Sequence, residues 1–125
     1  MDRRFISLGA LLAFLGVGLG AFGTHGLRAR VSERDLETWT TGVHYHLVHG
    51  VALLAVGALI ALFPNIPATK RSGWLFLAGI AVFSGSLYVL VISGQRWLGA
   101  VTPLGGLCFL AGWLNLALAF ARRPS

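Results

Sequence analysis

The stretch GVHYHLVHG, residues 42–50, holds three of the chain's four histidines and runs straight into a long, nearly uncharged segment. Imidazoles at this spacing have three chemistries open to them. At ~100° per residue, Tyr45, His46 and His49 fall within one arc of ~100°, and His44 points elsewhere. His46 and His49, three apart, could share a metal. Joined by His25 from the preceding segment, they form a candidate zinc or copper site. One or two of them could instead ligate a haem iron, or hydrogen-bond a quinone. A second group is FSGSLY, residues 83–88, which puts Ser84 and Tyr88 four apart on one face, with Gly85 and Ser86 between them. A serine nucleophile needs an activating base, and His49 is the candidate by depth. The plainer alternatives are a collar of histidines at a membrane surface and a hydrogen-bonded seam of hydroxyls.

The elements that must position these groups follow from composition. Of 125 residues, 56% are hydrophobic and only 11% charged, with mean hydropathy +0.77. Soluble domains carry roughly a quarter charged residues, so this chain cannot coat a water-soluble globule of its size. The net charge of +6 is no nucleic-acid signature, because the basic residues sit at segment ends without interleaved aromatics. Cys108 is the only cysteine, which rules out an intrachain disulfide and CxxC chemistry.

Four apolar runs, about 5–23, 44–63, 74–93 and 98–121, each match the ~20 residues that cross a ~30 Å hydrocarbon core as a helix. The expected fold is therefore all-α: one domain of four transmembrane helices in a compact antiparallel bundle. The N-terminal run is too long for an ordinary signal-peptide core and three more follow, so it is read as a span. Between the first two runs, SERDLETW predicts a short interfacial helix capped by Ser32, with Asp35 at its third position. GQR, residues 94–96, predicts a tight hairpin of the last two helices. Thr102 and Pro103 predict the start of the fourth helix near Thr102, with Thr102 as its cap and Trp97–Val101 as lead-in.

Basic residues orient the bundle. Arg3, Arg4, Lys70, Arg71, Arg122 and Arg123 fall on one side, and Arg28, Arg30, Arg34 and Arg96 on the other. The richer side is expected to be cytoplasmic, with both termini. The polar clusters then share the outer leaflet, with Trp39, Tyr45, Trp74 and Trp97 as an aromatic belt. No span holds a carboxylate, which argues against a proton-coupled carrier.

Small residues are expected at helix contacts. Gly9, Ala13, Gly16, Gly20 and Gly23 form a stripe containing a GxxxG, facing another helix or a second copy of the chain. Gly85, Gly105 and Gly106 are expected to pack likewise, and Asn115 to join helices as a lone buried amide. The glycines are no dinucleotide loop, since they lie inside an apolar span.

Four motifs in order, GAFGTHGL (20–27), TGVHYHLVHG (41–50), FSGSLY (83–88) and VTPLGGLCFLAGW (101–113), resemble the DUF423 family of small four-helix bacterial membrane proteins over essentially the whole chain. The resemblance implies a plasma-membrane protein and carries no established activity, substrate or cofactor. The family pattern keeps His25, with Thr24 here in place of alanine, and keeps Tyr45 and His49. It has glutamine where this chain has His46, and His44 is no family feature. The resemblance thus favours a polar contact among His25, Tyr45, His49, Ser84, Ser86, Tyr88 and Thr102 over the His25, His46 and His49 metal site.

The functional expectation is a non-enzymatic accessory or structural membrane protein that requires no cofactor. Its partners are the lipid bilayer and a second copy or a larger membrane complex, with no nucleic acid. The alternatives are a redox, quinone, haem or metal-binding protein, or a small transporter.

Overall fold

The computed structural model describes residues 3–122; Arg123, counted above for orientation, lies outside them. Four helices result: α1 (Arg3–Leu27), α2 (Glu33–Leu62), α3 (Pro67–Ser93) and α4 (Arg96–Ala121), all long and apolar enough to cross a membrane. They pack as an antiparallel bundle in which α2 and α3 are central and α1 and α4 are the more exposed outer helices.

The α1–α2 contact is made by the predicted small-residue stripe. A Cβ on Gly9 would lie 2.7 Å from the Gly50 carbonyl oxygen, and the position above Gly50 is only 3.3 Å from the Ala13 nitrogen. Gly16 faces Leu47, Gly20 faces Val43 and Gly23 faces the Trp39 indole. The partner of the stripe is therefore α2 of the same chain. Close backbone approach is what small residues permit, and dispersion between backbones then replaces contact with lipid. Gly105 does the same for α3–α4, where an added Cβ would lie 2.3 Å from the Phe83 nitrogen. Gly85 departs from expectation: nothing lies within 4 Å of its added Cβ. It turns away from its neighbours, and Gly106 makes only ordinary contact with the Phe83 ring, at 3.8 Å.

Helix α2 runs well past its apolar stretch. Its 30 residues span about 45 Å, against a ~30 Å hydrocarbon core. The predicted short interfacial helix is the first part of this element. Ser32 does cap it, its Oγ accepting from the Asp35 N–H at 3.1 Å, but no breaker separates the charged turns from the apolar ones. Exposed Thr38, Thr40 and Thr41 donate to carbonyls one turn back, which satisfies their hydroxyls without ending the helix.

The α3–α4 hairpin forms as expected. Gly94, at φ 75°, ends α3 in the left-handed region that glycine tolerates. A short 3₁₀ turn, Arg96–Ala100, leads into regular helix from Thr102. Thr102 is not the cap. Its hydroxyl lies inside the helix, 2.6 Å from the Ser86 hydroxyl and donating at 3.3 Å to the Leu98 carbonyl.

Two segments widen to π-helix, Gly23–Leu27 at the end of α1 and Ile80–Ser84 within α3. The second inserts one residue into the turn, the Gly85 N–H donating to the Ile80 carbonyl. It divides the duties of α3. Before it, Ser72, Phe76 and Gly79 meet α4; at its end and beyond, Ser84 and Tyr88 meet α2.

Candidate functional site

His46 and His49 lie in the middle of the bundle. Phe109, which stacks on His49 at 3.6 Å, stands thirteen residues from both Arg96 and Arg122. Gly16, which faces His46 and Leu47, stands twelve from both Arg4 and Arg28. The expectation of a collar at the helix mouth fails for these two histidines, because α2 begins well before them. His44 is exposed.

His46, 4% exposed, bridges three helices. Its Nε2–H donates to the Leu12 carbonyl of α1 at 2.7 Å, and its Nδ1 accepts from the Tyr88 hydroxyl of α3 at 2.8 Å. A carbonyl can only accept, so these partners define a neutral imidazole with the proton on Nε2. The bond to Leu12 is possible because Gly16, one turn on, has no side chain in the way. His46 is therefore not incidental, contrary to the reading drawn from the family pattern. A glutamine there would carry the same donor and acceptor pair.

His49, 3% exposed, faces the other side of α2. Its Nδ1–H donates to the Tyr45 carbonyl at 2.8 Å, and its Nε2 accepts from the Trp113 indole N–H of α4 at 2.9 Å. Phe109 covers one face of the ring at an interplanar angle of 11°. The Tyr45 ring lies near-parallel to His49, with centroids 6.3 Å apart, and is tilted against Phe83 at 4.7 Å.

The expected single junction is thus divided into separate contacts. His25 is exposed at the end of α1 and does not join it. Ser84 donates to the Gly42 carbonyl at 2.7 Å, and Ser86 pairs with Thr102 across the hairpin. His25, His46 and His49 do not converge, and among the described residues no three His, Cys, Asp or Glu side chains are grouped as metal ligands. Both ring nitrogens of each buried imidazole are already engaged, so neither offers a lone pair to a metal. Ser84 points its proton at a backbone carbonyl and not at a base.

Several contacts had weaker sequence signals. The Trp39 indole, expected in a surface belt, is buried and donates to the Leu19 carbonyl at 2.8 Å; of the four belt residues, Trp74 and Trp97 are exposed near helix ends. Trp113 in mid-span was itself a sign, since a buried indole N–H needs a partner. Asn115 donates to the Ala68 carbonyl and to Ser72 Oγ, each at 2.8 Å, while Ser72 donates to the Gly112 carbonyl. Arg96 grips Asp35 with both nitrogens, at 2.8 and 3.0 Å, fastening the projecting start of α2 to the α3–α4 hairpin. Beyond the apolar span, these hydrogen bonds hold the Asp35 carboxyl below its ordinary pKa.

The sequence pattern described as "Protein of unknown function (DUF423)" matches residues 19–106. The chain belongs to the DUF423 family. UPF0382 membrane protein YwdK of Bacillus subtilis (strain 168) is 46% identical over 117 residues, covering 94% of this chain and 95% of its own. UPF0382 membrane protein SAB0533 of Staphylococcus aureus (strain bovine RF122 / ET3-1) is 45% identical over 118 residues, 94% of each chain. UPF0382 membrane protein SH2409 of Staphylococcus haemolyticus (strain JCSC1435) is 43% identical over 118 residues, again 94% of each. No solved structure matches. With four apolar helices and membrane-protein relatives, the chain is a multi-pass membrane protein.

Proposed function

We propose that this DUF423 protein is a non-enzymatic accessory or structural subunit of the bacterial plasma membrane, with both termini cytoplasmic. One observation carries the reading: the polar groups in the middle of the bundle close on one another. Each buried imidazole has its donor and its acceptor satisfied inside the chain, and Ser72, Ser84 and Asn115 donate to backbone carbonyls. Such a network sets the register of helices, whereas catalysis needs a group left poised toward a substrate. The exposed outer helices α1 and α4 supply the surface for a second copy or a larger complex.

The test is mild-detergent extraction with in-membrane crosslinking. The chain is expected in an assembly larger than a monomer; a lone monomer under all extraction conditions overturns the proposal. Reporter fusions at residue 122 and in the 28–32 connection check orientation, with the cytoplasmic signal expected from the first.

A further inference from the structure

The His49 side of the bundle is open where the His46 side is closed. Between α2, the π-turn of α3 and α4 runs a groove of about 510 Å³, lined by Tyr45, His49, Phe83, Phe109, Leu110 and Trp113 among others. That volume is in the range of small-molecule sites. Its floor is aromatic and flat: Tyr45, His49 and Phe109 lie within 13° of parallel. One polar group is uncommitted. The Tyr45 hydroxyl forms no hydrogen bond among the described residues, although its ring is 40% exposed at the groove and sits one turn from the mid-plane. In hydrocarbon an unpaired hydroxyl is costly, and nothing in the lipid layer at that depth accepts its proton.

We propose that this groove holds the ring of a lipid-soluble quinone, with a ring carbonyl accepting a hydrogen bond from the Tyr45 hydroxyl. Three requirements select this chemistry: a flat face to lie on near-parallel rings, an acceptor for one phenolic proton, and solubility at hydrocarbon depth. An acyl chain meets only the last, and phospholipid carbonyls sit at the interface. Binding goes beyond the accessory role and requires no redox step.

The experiment uses the full chain in phospholipid nanodiscs, titrated with a short-tailed prenylated naphthoquinone and followed by quenching of tryptophan fluorescence. A saturable quench is expected. Gly106→Leu fills the groove, and since a Cβ at Gly106 meets Phe83 only at 3.8 Å, the variant should melt like the parent yet bind at least about tenfold more weakly. Tyr45→Phe keeps the ring, removes the hydroxyl, and should weaken binding about three- to tenfold. Quenching that does not saturate, or that is equal in the parent and both variants, reports quinone dissolved in lipid and overturns the proposal. So does equal displacement of the probe by an alkane of matching tail length, or a Gly106→Leu effect traced only to loss of a dimer. Binding by an isolated monomer would sustain this proposal while the accessory-subunit reading fails, so the two are separable.

Discussion

His46 and His49 sit one turn apart on the same helix and are equally buried. Each donates to a carbonyl and accepts from one aromatic donor. They differ in whose groups they hold. His46 takes its carbonyl from α1 and its donor from α3, so it joins three helices. His49 takes its carbonyl from its own helix and reaches only α4, through Trp113 and Phe109. Equal burial and equal hydrogen-bond number therefore conceal unequal structural roles: one side of α2 is closed and shared, the other is open and held by a single neighbour.

The largest expected effect separates the two sides by force. Gly105→Val drives a side chain into the Phe83 backbone and should cost about 3 kcal/mol or more, detaching α4 while α1 and α2 stay paired. Trp113 fluorescence and unfolding in detergent would show it; an unchanged unfolding midpoint breaks the account of the α3–α4 contact. Next comes His46→Ala, which leaves the Tyr88 hydroxyl unpaired and should cost about 2–3 kcal/mol. His46→Gln should recover most of that loss, because the amide supplies the same donor and acceptor. His49→Ala should cost less, about 1–2 kcal/mol, and if it equals or exceeds His46→Ala the contrast between the two sides is wrong. The smallest effects lie outside both. Gly85→Ala should stabilise α3 by about 0.5–1 kcal/mol through helix propensity alone, and His25→Ala should leave the unfolding midpoint where it was.

The four helices were legible because lipid leaves a chain few options and apolar length is a strong signal. So were the Ser32 cap, the α3–α4 hairpin and the glycine stripe, each resting on local chemistry. The start of α2 was not legible. The charges of residues 33–37 read as a loop, yet charge alone does not interrupt a helix, and no proline or buried breaker stands between Glu33 and the apolar run. That error moved His46 and His49 from the middle of the bundle to its mouth. The separation of His25 from Tyr45 and His49 was hidden too, because the depth at which α1 ends depends on its pairing with α2. Trp39 was read as a belt residue, since propensity does not say which face of a helix meets lipid.

The π-turn at Ile80–Ser84 makes α3 intolerant of changes in length. Deleting one residue there would restore an ordinary helix and improve its local geometry. It would also rotate everything from Gly85 onward by about 100° relative to the half that packs on α4. Tyr88 would swing off His46, and Ser86 off Thr102. A single codon lost within this turn should therefore be more harmful than one lost from the connection at residues 64–66, where no helix phase has to be kept.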